Sequence, residues 1–324
     1  MNLPEIRKVL LTEGREVGGL RAFARALAEG FKDIGYSAEI VPPRDILGRW
    51  RDLRDPSVLK ILSTTAVFMV PFSRRTICVA HGFPRPDAQG WMRTLAILAS
   101  LKLANWKDGC PLVAVSDYVA VHLRGVYGLR VDGVIRNPVQ PMFTEPWEQK
   151  EDRRYLTYVG RLLPSKNMHR ILPAMRRVLE EDSTMRICIV GDGPQRQELE
   201  DLARGDERVE FTGNCDSLEI RTRLRQTKVF VSGNEMEPFG ITYLEALSQG
   251  CIVAMPACGG GLEIAPKLIG SQIRLLPISF EQQPIVDVLR KAVIGSGETI
   301  SMVGHRASDV ARAYLSLAQK QILV

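Results

Sequence analysis

Along the second half of the chain, apolar residues fall into short solid runs separated by stretches with helical spacing. YLTYVG (155–160), RICIVG (186–191), VEFTG (209–213), KVFVSG (228–233) and CIVAMP (251–256) read as strands. Between the first two, residues 167–182 place Met168, Ile171, Leu172, Met175, Val178 and Leu179 on one helical face. Residues 195–205, 217–226 and 239–250 read as further helices, the first and last closed by Gly205 and Gly250. The strands are apolar throughout, as a parallel sheet covered on both faces requires. In the first half, KVLLTEG (8–14), SAEIVP (37–42), TTAVFMV (64–70), RTICVAHG (75–82) and PLVAVS (111–116) read as strands. A helix over 19–35 carries Leu20, Phe23, Ala24, Leu27 and Phe31, and a second lies around 92–106. Alternating strands and helices predict βαβ units. The fold class is therefore α/β, with two doubly wound Rossmann-like domains facing across a cleft.

The predicted organisation is an N-terminal domain over 1–138, a linker over 139–152 and a C-terminal domain over 153–304. The tail over 305–324 is helical and is expected to pack back toward the first domain. Three prolines in residues 137–152, with no apolar period, mark the linker. No run of about 18 apolar residues suggests a spanning helix, and the N-terminal apolar run is too short for a signal peptide. Six cysteines form no CxxC pair and only four histidines are present, which disfavours a zinc site or a disulfide framework and points to a reducing, cytoplasmic setting.

Charge changes the picture of the first half. The net charge is +6. Residues 1–150 hold 21 Lys and Arg against 15 Asp and Glu, whereas 151–324 hold 22 of each. The excess suits an anionic partner, and equally a solvated basic surface. Arg44, Arg49, Arg51, Arg54, Lys60, Arg74 and Arg75 are the basic residues expected to face an anionic acceptor or a membrane. The helix around Trp91–Trp106 has no clean basic face and is expected to pack on the sheet.

Chemistry belongs at the carboxyl ends of the strands. After the first strand, Gly14, Gly18 and Gly19 precede a helix; they suit close approach to a phosphate, or a tight turn. Their spacing matches neither GxGxxG nor a P-loop. In YVGRLLPSKN, Arg161 and Lys166 follow a strand and suit a diphosphate, or are two surface cations. Glu237 precedes a helix that starts near Phe239, with Glu245 about 9 Å further in. The amides of Phe239, Gly240 and Ile241 then point at an anion. Glu237 also reads as dipole compensation and Glu245 as an exposed helix charge. GDGPQR (191–196) imitates a dinucleotide turn, but Arg196 stands where the third glycine belongs, which disfavours a dehydrogenase.

Taken in order, VGRLLPSK (159–166), IVGDGP (189–194), VEFTG (209–213), EPFGITYLEALSQG (237–250) and GGGLE (259–263) resemble the retaining glycosyltransferases of family 4, which have the GT-B architecture. Glu237 and Glu245 match that family's E-x7-E pattern. The match spans residues 153–265 and continues more weakly through Gly18-Gly19, His81-Gly82, 113–123 and 134–139; the stretch between Val41 and Thr76 is poorly matched.

The resemblance implies transfer of a sugar from a nucleoside-diphosphate donor, UDP- or GDP-linked, to an acceptor hydroxyl. It implies bacterial polysaccharide, lipopolysaccharide or glycolipid synthesis. Arg161 and Lys166 then neutralise the diphosphate, Glu237 lies at the donor sugar, and Glu245 contacts the ribose. Phe239, Gly240 and Ile241 supply amides, Gly18 and Gly19 admit the donor phosphates, and His81 contacts the transferred sugar. Base contacts are expected near Gly213–Cys215, at Asn214. No DxD motif occurs, so no metal and no further cofactor is expected. The acceptor is a sugar, a glycan or a lipid-linked hydroxyl, and the enzyme is cytoplasmic, peripheral at an anionic membrane face. No aromatic-basic RNA motif supports nucleic acid as partner. The alternatives are a GT-B epimerase or hydrolase acting on nucleotide sugars, and a basic lipid- or nucleic-acid-binding protein without enzyme activity.

Overall fold

The computed structural model describes residues 5–12, 19–64, 66, 75–86, 90–106, 110–145, 152–302 and 304–320. The chain divides into two compact units, Met1–Pro141 with Val303–Val324, and Met142–Met302. Of the linker reading at 139–152, residues 146–151 lie outside the described residues. A one-turn helix, Pro141–Thr144, is what the structure describes before them.

The first unit is a six-stranded parallel sheet in the order β2-β1-β3-β4-β5-β6. Its strands are β1 (Lys8–Thr12), β2 (Ser37–Val41), β3 (Val58–Ser63), β4 (Thr76–Ala80), β5 (Leu112–Ala114) and β6 (Gly133–Val134). Helices α1 (Gly19–Asp33), α2 (Trp91–Trp106) and α3 (Asp117–Gly125) connect them. The predicted face of α1 is buried through Phe23, Ala24, Leu27 and Phe31, whereas Leu20 is exposed. The final helix, α9 (Ala307–Lys320), packs against α1 so closely that a Cβ at Gly30 would lie 2.1 Å from the Ala307 carbonyl oxygen.

The third strand is Val58–Ser63, not the run 64–70 expected from the sequence. Of that run only 64 and 66 are among the described residues, and neither is in a strand. Lys60 hides the strand, because it interrupts the apolar run VLKILS with a charge. It is fully buried, and its ammonium donates to the Asp55 carbonyl at 3.0 Å. Burial lowers its pKa to about 8, partly offset by Asp55. Arg75 is also buried, with its guanidinium on the Pro56 carbonyl at 3.0 Å. Lys60 and Arg75 therefore leave the outward basic set. Arg49 pairs with Glu39 and Arg54 stacks over Trp50 at 4.2 Å, while Arg74 lies outside the described residues.

The second unit is another six-stranded parallel sheet, ordered β12-β11-β10-β7-β8-β9. It contains β7 (Tyr155–Val159), β8 (Arg186–Val190), β9 (Val209–Gly213), β10 (Thr227–Val231), β11 (Ile252–Pro256) and β12 (Ile273–Leu276). Its helices are α4 (Met168–Glu181), α5 (Arg196–Ala203), α6 (Ser217–Arg225), α7 (Ile241–Ser248) and α8 (Gln282–Ile294). All six apolar positions predicted for α4 are buried and join the core with Ile187, Ile189, Val229, Val231 and Leu289. The chain starts on β7, works outward to β9, then returns to β10 on the other side of β7. That reversal leaves a crevice at the carboxyl ends of β7 and β10, the switch point where doubly wound sheets bind ligands.

Candidate active site

The loops after β7 and β10 carry the residues singled out in the sequence. Arg161 is exposed at the end of β7, and Lys166 closes a single 3-10 turn, Pro164–Lys166, before α4. Glu237 lies in the loop after β10. Lys166 Nζ is 3.4 Å from Glu237 Oε2, with the two side chains 24% and 20% exposed. The pair is thus open to a ligand. Asn234 is buried and its amide donates to the same carboxylate oxygen at 2.5 Å. Asn167 ties the two loops together, donating to the Gly233 carbonyl at 3.0 Å and to Glu235 Oε2 at 3.1 Å.

Two buried tyrosines support this arrangement. Tyr158 donates to the Arg161 carbonyl at 2.9 Å and Tyr243 to Ser232 Oγ at 2.9 Å. Burial raises both phenols well above their ordinary range, and the Glu237 carboxylate raises them further. They stay neutral donors and hold the loops by hydrogen bonds. Sequence reasoning missed Asn167, Asn234, Tyr158 and Tyr243. The only signal was their position within or beside the matched segments.

Helix α7 begins at Ile241, two residues later than predicted, with Gly240 as its N-cap at φ 92°. Glu245 therefore lies about 6 Å into the helix rather than 9 Å. Phe239 and Tyr243 are buried and seat the helix on the core. The first-turn amides, starting with Ile241, leave the N-terminus, where the helix dipole favours an anion. Glu245 is 5% exposed, which removes the reading of an exposed helix charge. The far end of α7 is anchored by buried Arg153, whose guanidinium donates to the carbonyls of Gln249, Gly250 and Thr227. A cation at that end also complements the dipole.

GDGPQR has a mechanical role. Gly191 has φ 125°, and a Cβ there would lie 2.0 Å from the Gly160 carbonyl oxygen. The Leu162 amide donates to the Asp192 carbonyl, and the Gln195 amide to the Leu162 carbonyl. These contacts let the β8 loop brace the loop that bears Arg161. The Gly191 amide also donates to the Gly213 carbonyl at the end of β9, and Asn214 follows, exposed.

In the first unit, His81 lies at the end of β4, edge-on to Phe23 at 4.5 Å. Burial lowers its pKa to about 4, so the imidazole is neutral at physiological pH. Gly19 opens α1, and a Cβ there would meet open space. Gly14 and Gly18 lie outside the described residues. The cysteines are all free, and among the described residues no cluster of His, Cys, Asp or Glu could hold a metal ion.

Residues 140–269 match the family model for glycosyl transferases group 1. The chain is similar to an uncharacterized glycosyltransferase of Methanocaldococcus jannaschii, 27% identical over 175 residues, covering 48% of this chain and 45% of that protein. It is also similar to a sulfoquinovosyl transferase of Arabidopsis thaliana, 28% identical over 209 residues, covering 64% of this chain and 40% of that one. The matches thus span less than half the length of either relative. Anabaena HepE, solved in complex with UDP and glucose, has the same fold, with a TM-score of 0.72 over 98% of both chains at 16% identity. The two Rossmann-like sheets place this chain in the GT-B fold class, as expected from the sequence.

Proposed function

We propose that this protein is a retaining, metal-independent glycosyltransferase of family 4 that moves a sugar from a nucleoside-diphosphate sugar to an acceptor hydroxyl. The pathway proposed is bacterial polysaccharide, lipopolysaccharide or glycolipid synthesis in the cytoplasm, with a glycan or lipid-linked acceptor. The reading rests on one observation. The switch point of the second sheet brings a carboxylate, two cations and a helix N-terminus together, as a sugar joined to a diphosphate would need.

In this mechanism the donor diphosphate meets Arg161, Lys166 and the first-turn amides of α7. Charge develops on the leaving phosphate as the C1–O bond breaks, and fixed cations already aimed there lower the barrier without reorganising. Glu237 contacts the donor sugar beside C1, where its negative charge favours the oxocarbenium-like transition state. The acceptor oxygen bonds to C1 on the face the phosphate leaves, and the acceptor proton passes to a leaving phosphate oxygen. Glu245 takes the ribose hydroxyls, Asn214 is a candidate base contact, and neutral His81 contacts a sugar hydroxyl. Gly18 and Gly19 are assigned to the donor phosphates.

A thermal-shift panel of UDP-, GDP- and ADP-sugars tests the reading. A donor that binds only the folded state raises the melting temperature by mass action. UDP-glucose is the first donor to try, because HepE binds UDP and glucose. A melting temperature unmoved by every nucleotide sugar would remove the proposal. Arg161→Ala and Lys166→Ala are each expected to lower turnover about 10²-fold or more, since each leaves developing diphosphate charge uncompensated. EDTA is expected to leave the rate unchanged. Full turnover in either variant, or a rate restored only by added divalent metal, would contradict the assigned roles.

A further inference from the structure

The carboxyl edge of the first sheet gathers three aromatic rings that the donor chemistry leaves unassigned. Phe83 lies in the loop after β4, two residues beyond His81, and Tyr118 and His122 lie on α3, the helix that follows β5. Phe83 and His122 stack with ring centroids 4.4 Å apart and planes 7° from parallel. Tyr118 stands edge-on to both, 5.7 Å from Phe83 and 4.4 Å from His122. The cluster is not part of the core. Helix α3 buries Val119, Ala120 and Leu123, whereas Phe83, Tyr118 and His122 are all half-buried. Tyr118 and His122 are four residues apart and so share one flank of the helix. Phe83 is laid against that flank from the neighbouring strand end.

Two hydrogen bonds fix this shelf. His122 Nδ1 donates to the Tyr118 carbonyl at 2.9 Å, and the Tyr127 hydroxyl donates to the Pro84 carbonyl at 2.6 Å, which pins the loop bearing Phe83 to the end of α3. Rings held in place before a ligand arrives lose little freedom on binding. Polar groups stand beside them. Asp117, the residue before Tyr118, pairs with Arg136 at 3.1 Å, and the two side chains are 64% and 41% exposed. Arg136 follows β6, so the carboxyl ends of three adjacent strands, β4, β5 and β6, supply the set. An aromatic surface with a few placed polar groups is the composition of a small-molecule site. Its chemistry selects the ligand. An aromatic face suits the flat C–H surface of a pyranose ring. A carboxylate beside a guanidinium can accept from one hydroxyl and donate to its neighbour. An anion suits this edge less well, because Asp117 already neutralises Arg136 and its carboxylate repels a second negative charge.

We propose that Phe83, Tyr118 and His122 form a carbohydrate subsite, in which a pyranose ring lies on the aromatic shelf with its hydroxyls on Asp117 and Arg136, and that the acceptor is therefore itself a sugar. The subsite stands on the geometry of the first unit; its use by an acceptor rests on the transferase reading. His81, assigned to the transferred sugar, is two residues from Phe83, within about 7 Å along the chain. A ring on the shelf thus lies beside the sugar it would receive.

Saturation-transfer NMR with the methyl glycosides of glucose, galactose and mannose, and with glycerol phosphate as the anionic arm, tests the idea. At least one glycoside is expected to take up saturation, most strongly at its ring C–H protons, and glycerol phosphate none. Phe83→Ala is expected to weaken that glycoside about ten-fold, and Phe83→Trp to retain it. Should Phe83→Ala not fold, Asp117→Asn, an exposed change, is expected to weaken it about three-fold and provides the same test. With the nucleotide sugar that raises the melting temperature, the glycoside is expected to speed nucleotide release, and Phe83→Ala to raise its KM about ten-fold with kcat nearly unchanged. Wild-type protein that takes up no glycoside, a folded Phe83→Ala variant that binds like wild type, or saturation of glycerol phosphate in place of the glycosides overturns the subsite. A bound glycoside that leaves donor turnover unchanged overturns the acceptor role. Glycoside binding by a protein that no nucleotide sugar stabilises leaves the subsite standing and removes the transferase reading instead.

Discussion

Glu237→Gln is expected to lower sugar transfer about 10³-fold while leaving the fold intact. The amide is isosteric and keeps an oxygen to accept the hydrogen bond that Asn234 donates to Oε2. What it removes is the negative charge beside the reacting carbon. Two magnitudes separate the effects. The ion pair with Lys166 is partly exposed and 3.4 Å long, so its loss costs at most about 1 kcal/mol of stability. A 10³-fold rate loss corresponds to about 4 kcal/mol of barrier. Turnover should therefore collapse while the melting temperature barely moves. Initial rates with a saturating donor, alongside a melting curve, check this. A well-folded variant with turnover near wild type would take Glu237 out of the mechanism.

Gly260→Ala is expected to act on the same carboxylate from behind. The Gly260 amide donates to the Glu237 carbonyl at 2.7 Å, and a Cβ at this position would lie 2.1 Å from the Pro238 carbonyl oxygen and 2.7 Å from its carbon. Both are backbone atoms, so the overlap cannot be relieved by a rotamer change. The loop bearing Glu237 has to move. A displacement of about 1 Å at a reacting centre costs about 10² in rate, and relieving the overlap costs about 1–3 kcal/mol of stability. Turnover and melting temperature should fall together, unlike in Glu237→Gln. Gly125→Ala is the control. It is at the C-terminal end of α3, where a Cβ meets nothing within 4 Å, and helix propensity makes the change neutral or stabilising by up to about 1 kcal/mol. Gly260→Ala with wild-type turnover would show that the GGG stretch does not position Glu237.

The sequence alone determined the parts of this protein that depend on local pattern. A parallel strand buried on both faces must be an apolar run, and a helix on its surface must repeat every 3.6 residues. β7 to β11 and α4 to α7 were therefore legible, as was the place of Arg161, Lys166 and Glu237 at strand ends. What the tertiary structure decided concerns residues whose surroundings come from distant chain. Lys60 looked like a break in an apolar run, yet it belongs to a central strand because its ammonium reaches the Asp55 carbonyl. Arg75 counted as surface charge until the Pro56 carbonyl turned it inward. Glu245 could be solvated or buried on the same helix, and the packing of α7 chose burial. Asn167 and the Lys166–Glu237 pair acquire their roles from loops that only the strand order brings together. Helix α2 shows the limit most directly. With apolar residues all round it, periodicity names no inner face, and packing buried Thr94, Ser100, Leu101 and Ala104. Pattern reports what a segment is able to bury; which side is buried is decided by the elements that pack against it.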